Sequence, residues 1–232
     1  MVDTSCNPKL PTLHHLNDSQ SQRILWLLEE LEIEYNLELY SRHHKNLRAP
    51  PSLTEVSPLG KSPVLVSPDG RVITESSAIA TFLLNKYDSI HSFENSDELR
   101  DEMISSFVGS SLGVMSILEL FLDLGYKFSP WPVRWMVGII WKSVHKNFTG
   151  KEMRLGLKWL EGELGDGEWF GGSKLSKADI MVSWPLDLIV GRGWLDLELE
   201  FPKLWEWRQK VQKRPAWRRS LLKGNGYDLH KW

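Results

Sequence analysis

Apolar positions change their spacing several times along the chain, and each change marks an element. Thr12–Leu16 reads as a short strand, followed by a polar stretch from Asn17 to Arg23. Ile24, Leu25, Leu27, Leu28 and Leu31 then recur at helical spacing, with Glu29, Glu30 and Glu32 on the other side. That pattern predicts an amphipathic helix. Residues 35–40 alternate apolar with polar and predict a second strand, and strand–helix–strand favours a parallel pair with a right-handed crossover. Residues 41–57 are basic, contain proline and read as a loop with one helical turn. Val64–Val66 and Val72–Thr74 flank Pro68-Asp69-Gly70; proline presets the turn's first torsion and glycine accepts positive φ, so a hairpin is expected. Ile79, Phe82, Leu83 and Tyr87 return to helical spacing, and 88–96 is a polar linker.

Beyond the linker only helices are predicted. A long one over 97–121 carries Ser106, Gly109, Ser110 and Gly113. Glycine costs about 1 kcal/mol against alanine inside a helix, so close approach of another helix or a ligand is expected there. A break at 125–132 precedes helices over 133–144 and 151–164. The apolar run 135–141 reads as a buried helix, with a peripheral membrane contact as the alternative. Ser176 and Asp179 have capping-box spacing, a folding role, and Asp187 is expected to be a partnered polar group. Helices over 201–213 and 216–222 complete the chain, and Lys210, Lys213, Arg214, Arg218 and Arg219 read as a solvated face.

Composition narrows the class. A content of 41% hydrophobic and 25% charged residues describes a soluble globular chain with a real core. The net charge of −2 argues against a nucleic-acid binder. The single cysteine, Cys6, rules out an internal disulfide framework and fits a reducing, cytoplasmic compartment. No signal peptide is expected, since residues 1–12 lack an apolar segment. The longest uncharged run, 103–118, falls short of the ~20 apolar residues a membrane span needs. His14-His15 and His43-His44 invite a metal reading, but adjacent strand residues point to opposite faces, and no set has zinc-like spacing. No metal is expected.

The chemistry concentrates around the hairpin. Glu75-Ser76-Ser77 opens a helix, where unpaired backbone N–H groups suit a carboxylate or phosphate, and an adjacent acidic side chain can hold an ammonium group. A ligand carrying both on one carbon is an amino acid. Pro58-Leu59-Gly60-Lys61-Ser62-Pro63-Val64-Leu65, followed by Thr74-Glu75-Ser76-Ser77-Ala78-Ile79, resembles the glutathione-site signature of the cytosolic glutathione transferases, in particular their fungal and bacterial Gtt-type branch. The resemblance runs from about Thr12 to Leu229.

The resemblance implies an α/β, thioredoxin-like, glutathione-binding N-terminal domain over 1–88. An all-α helical-bundle C-terminal domain over 97–232 would contribute the hydrophobic co-substrate site. It implies a cis bond before Pro63, with the backbone of Ser62 pairing with the cysteinyl part of glutathione, and Glu75 and Ser76 holding its γ-glutamyl end. Most relatives place a hydrophobic residue where this chain has Ser62. The family's thiol-activating donor falls within 17–21, where Ser19 aligns best, Asn17 second and Ser21 third; helix capping is the ordinary job of these residue types. Lys61, Lys45 or Arg48 would meet the glycyl carboxylate. With a free thiol pKa near ~8.5, lowering it by about two units makes thiolate the majority species at neutral pH. The implied function is transfer of glutathione to a hydrophobic electrophile bound between the domains against 97–121 and 126–141. The alternatives are a glutathione-dependent cis-trans isomerase of a biosynthetic pathway and a non-catalytic binding module. The implied assembly is a homodimer.

Overall fold

The computed structural model describes residues 7, 9–44, 46–88, 92–94 and 97–230. Cys6 and Lys45 lie outside the described residues. The chain forms two compact units: the described residues up to Phe93 together with Val211–Asp228, and Glu94–Lys210 with Leu229 and His230.

In the first unit β1 (Thr12–Leu16), α1 (Ser21–Glu30) and β2 (Asn36–Tyr40) form the expected strand–helix–strand, and β1 and β2 pair in parallel. A short α2 (Ser52–Val56) leads to β3 (Val64–Val66), β4 (Val72–Thr74) and α3 (Ser76–Tyr87). The sheet order is β2-β1-β3-β4, with β3 antiparallel to both its neighbours. Leu13, Leu25, Leu28, Val64, Leu65, Ile79 and Leu83 are fully buried and make the core between sheet and helices.

The structure corrects the solvated-face reading of the C-terminal basic cluster at Arg214 and Arg219. α1 is buried through Glu29, and its acids face a returning C-terminal helix rather than water. Arg214 grips Glu30 through both guanidinium edges, and Arg219 donates to the Glu29 carboxylate at 2.9 Å. Burial works to raise the Glu29 carboxyl, but hydrogen bonds from Lys223, Tyr35 and Arg219 outweigh it and hold its pKa low. Arg214, Arg219 and Lys223 are therefore a seam that clamps α1, while Lys210, Lys213 and Arg218 are exposed.

The second unit contains α4 (Glu98–Phe107), α5 (Gly113–Phe128), α6 (Arg134–Val144), α7 (Gly150–Leu164), α8 (Lys177–Arg192), the short α9 (Leu197–Glu200) and most of α10 (Pro202–Lys213); α11 (Pro215–Lys223) supplies the seam in the first unit. Single π-turns at Val108–Leu112 and His145–Thr149 join α4 to α5 and α6 to α7. They account for Gly113 but not for Gly109, where an added Cβ would meet nothing within 4 Å. A Cβ at Gly113 would stand 2.7 Å from the Val108 carbonyl oxygen, and one at Gly150 would stand 2.6 Å from that of His145. Only glycine lets the widened turn close back into a helix. The helix expected to stop at 121 runs on to Phe128. The run 135–141 is not buried as expected: Trp135, Met136, Ile139 and Ile140 are all exposed.

α8 is buried over almost its whole length, and its start is the hub of this unit. The capping box is formed, and the fully buried Asp179 carboxylate also accepts from the Phe170 N–H at 3.0 Å and the Trp207 indole N–H at 2.7 Å. Burial pushes its pKa up to about 6 against these donors, so it remains ionised at neutral pH. Asp187 is partnered by Arg208 at 2.7 Å. Asp179→Ala leaves several buried donors without an acceptor and is expected to cost about 3–5 kcal/mol in denaturant unfolding. A loss of about 1 kcal/mol or less would contradict the hub.

Candidate glutathione site

The antiparallel placement of β3 brings three separated segments to one end of the sheet. The C-terminal end of β1, the N-terminal end of β3 and the C-terminal end of β4 coincide, since His14 pairs with Val64 and Val64 with Thr74. Asn17–Ser19, Ser62-Pro63 and Glu75-Ser76 follow or precede these residues directly, so the topology gathers the sequence-predicted residues. Lys61 is exposed beside them, after Gly60 at φ +58°, and Arg48 is exposed in the segment after β2.

Ser62 ties two of the segments together. Its hydroxyl donates to the His14 carbonyl at 3.0 Å and accepts from the Leu16 N–H at 3.1 Å. The Ser62–Pro63 bond is cis. The Ser62 side chain therefore has a local purpose: it extends the β1–β3 pairing.

Glu75 occupies the N-cap of α3 at φ 66°, ψ 122°, outside every well a non-glycine residue ordinarily occupies. Such strain costs roughly 1–3 kcal/mol and collects at functional sites. Asp18, also at positive φ, lies at the same end of the sheet. The Glu75 side chain is exposed and makes no cap hydrogen bond to α3, and Ser76 is buried at the first turn. The helix thus presents uncapped N–H donors next to a carboxylate.

Ser19 is buried, and its hydroxyl is engaged twice. It donates to the Leu16 carbonyl at 2.7 Å and accepts from the Ser21 N–H at 3.1 Å, which is a capping role for α1. Ser21 in turn meets the His15 ring at 3.1 Å. Asn17 is half-buried; its side chain donates to Asp18 at 2.7 Å and accepts from the Arg42 N–H at 2.7 Å. His14 instead meets the Tyr40 hydroxyl, so the two histidines diverge. Among the described residues no group of three or more His, Cys, Asp or Glu side chains is placed to hold a metal.

Residues that sequence reasoning missed support this corner. The Arg42 guanidinium donates to the carbonyls of Asn17, Asp18 and Leu47, fixing the loop between β1 and α1. Arg23 lies buried on α1, where burial lowers its pKa to about 10 while Tyr227 and Glu75 act to raise it. Both cations stay charged at neutral pH and favour an anionic ligand. The C-terminal segment straps the same loop, with the Asp228 N–H donating to Asp18 at 2.6 Å and the Asp18 N–H to Gly226 at 3.2 Å. None of these partners is near in sequence, so periodicity carries no signal for them.

Residues 19–86 match the glutathione S-transferase N-terminal domain and residues 150–210 the C-terminal domain. The chain belongs to the glutathione S-transferase family. It is 34% identical over 211 residues to glutathione S-transferase 3 of Schizosaccharomyces pombe, covering 89% of this chain and 84% of that protein. It is 28% identical to glutathione S-transferase 1 of Saccharomyces cerevisiae, covering 91% and 94%. A glutathione S-transferase from Actinobacillus pleuropneumoniae superposes with a TM-score of 0.74 at 27% identity, over 96% of this chain and 97% of that one. The glutathione transferase URE2P8 of Phanerochaete chrysosporium, solved with oxidized glutathione, shares the fold at a TM-score of 0.71 and 24% identity, over 94% and 96%.

Buried His15 gives the corner a pH signature. Burial lowers its pKa from 6.5 to about 4, against the hydrogen bond to Ser21. The folded state thus resists a proton that the unfolded state takes up. Stability is fully present above the unfolded value and falls as pH drops towards the folded one. Between pH 6.5 and about 4 the wild type is expected to lose about 3 kcal/mol relative to His15→Gln, measured by urea unfolding of both. Parallel stability curves would contradict this.

Proposed function

We propose that this chain is a glutathione transferase that binds glutathione where Ser62, Glu75 and Ser76 converge and presents its thiolate to a hydrophobic electrophile. The observation that carries the reading is the strained Glu75 at the uncapped start of α3. A γ-glutamyl group carries an ammonium and a carboxylate on one carbon. The Glu75 carboxylate suits the first, and Ser76 with the free-ended helix N–H groups suits the second. The names of the relatives, and the oxidized glutathione held by the fungal neighbour, support the same ligand. In this reading the Ser62 backbone pairs with the cysteinyl part, and Lys61 or Arg48 meets the glycyl carboxylate. Glutathione is the only cofactor invoked, and the setting is cytoplasmic.

Ser19 is assigned as the thiol's donor and Asn17 as its substitute. A hydroxyl at a helix start, with two buried guanidinium groups nearby, can favour the thiolate by the ~2.7 kcal/mol that two pKa units represent. Ser19 must then turn its proton from the Leu16 carbonyl towards sulfur. That double engagement favours a second reading, a non-catalytic glutathione-binding module. Isomerisation of a conjugated alkene by reversible thiolate addition would use the same thiolate, and it differs in leaving no sulfur in the product. We also assign a homodimer. An apolar hollow of about 420 Å³ between Phe107, Leu112, Met115, Leu155, Gly156 and Trp159 is suited to receive a side chain of a second copy.

Thiolate absorbance of the glutathione complex, followed against pH, tests the assignment. The bound thiol is expected to titrate about two units below the free one, and Ser19→Ala to restore about one to two of those units with little change in affinity. A shift restored by Asn17→Ala instead would move the role to Asn17. A bound thiol titrating like the free one would leave the binding module.

A further inference from the structure

The outer surface of the α5–α6 hairpin is the least explained part of the molecule. α4, the π-turn and α5 form one helical path, Glu98–Phe128, long and apolar enough by composition to cross a membrane, yet only 28% of its most apolar window is buried. The acids of α5 do not face outward. Glu119 is fully buried and accepts from the Trp141 indole at 2.6 Å and the His145 ring at 2.9 Å, and Asp123 is buried against Arg192. What the hairpin shows to solvent is apolar: Phe121 (69% exposed), Phe128 (62%), Trp131 (88%), Trp135 (63%), Ile139 (58%) and Ile140 (58%). Residues 130–136 are exposed without interruption.

The charge along this hairpin has one sign. From Leu124 to Lys151 the sequence contains no aspartate or glutamate, but it contains Lys127, Arg134, Lys142, Lys146 and Lys151, in a chain whose net charge is −2. On α6 the exposed side runs from Trp135, Met136, Ile139 and Ile140 to Lys142 and Lys146, so the apolar tip passes into a basic collar one to two turns along. The hairpin is also held rigid. Arg134 donates to the carbonyls of Ser129 and Lys127 at the end of α5, at 3.0 and 3.2 Å. The Tyr126 and Trp141 rings stack at 5.4 Å, and a Cβ at Gly138 would stand 2.9 Å from the Tyr126 ring.

We propose that the α5–α6 hairpin docks this protein on the surface of an anionic lipid bilayer. Tryptophan and aliphatic side chains at the tip enter the interface while lysines on the collar meet lipid phosphates and carboxylates. A second copy is the poorer occupant. The contact with a second copy is assigned to the hollow between Phe107 and Trp159, and a patch that met its own copy on the two-fold axis would set one basic collar against another with no acid in 124–151 to offset it. The site is independent of the glutathione reading.

Flotation of the full chain with phosphatidylcholine vesicles, with and without phosphatidylserine, tests this, alongside light scattering for oligomeric state. The chain is expected to float with the phosphatidylserine vesicles and progressively less as salt is raised. Lys142→Glu and Lys146→Glu are each expected to lower partitioning about fivefold or more, and Trp131→Ser with Trp135→Ser about tenfold or more. These side chains are outside the core, and an unchanged thermal midpoint in each variant separates lost docking from lost folding. Failure to float with either vesicle would overturn the proposal, as would flotation that none of these variants alters. A dimer that the tryptophan variants split, without vesicle binding, would assign the face to a second copy instead.

Discussion

The first unit depends on a single pairing choice, the antiparallel insertion of β3 between β1 and β4. Because β1 and β4 both run against β3, their ends meet at the entrance of β3. A residue after each of them and a residue before β3 become neighbours, although the chain between them spans more than fifty positions. The hairpin turn, the Ser62 hydroxyl bridging to His14 and Leu16, and the Arg42 clamp all serve to keep those ends in register. The strained Glu75 is tolerated because β4 and α3 hold it from both sides. A proposed ligand site made of short segments needs this kind of rigid frame, since a carboxylate and a helix start must be spaced for one amino-acid group.

The charges follow a consistent rule. Buried acids in each unit are met by a guanidinium or by several N–H donors: Glu30 by Arg214, Asp123 by Arg192, Asp187 by Arg208, and Asp179 by the capping box and an indole. Breaking such an arrangement by removing one partner costs far more than the pair contributes. The cations under the candidate site are different in kind. Arg23 lies within the field of Glu75 at the start of α3, and Arg42 grips backbone carbonyls of the loop between β1 and α1.

Much of this was legible in the sequence because it is local. The hairpin, the Ser62-Pro63 step, Glu75-Ser76 and the Ser176–Asp179 box each occupy a few consecutive residues whose conformational preferences agree. What was not legible arises from contacts between distant segments. The acids of α1 look like a solvent face until α11 returns to cover them. Arg23 reads as an ordinary polar residue at a helix start, and nothing near it announces the segment 226–228. The π-turns shift the helical register by one residue, which no fixed period detects, although Gly113, which closes the first, stands out in the sequence. Apolar spacing in 135–141 was mistaken for burial because a helix that faces lipid or a partner has the same pattern as one that faces a core.

Glutathione binding at the start of α3 is the claim on which the functional account rests, and titration calorimetry tests it most directly. The wild type is expected to bind glutathione, and Glu75→Ala to bind at least about tenfold more weakly through loss of a charged hydrogen-bond partner. Absence of binding by the wild type, or equal affinity in the two proteins, would contradict the account.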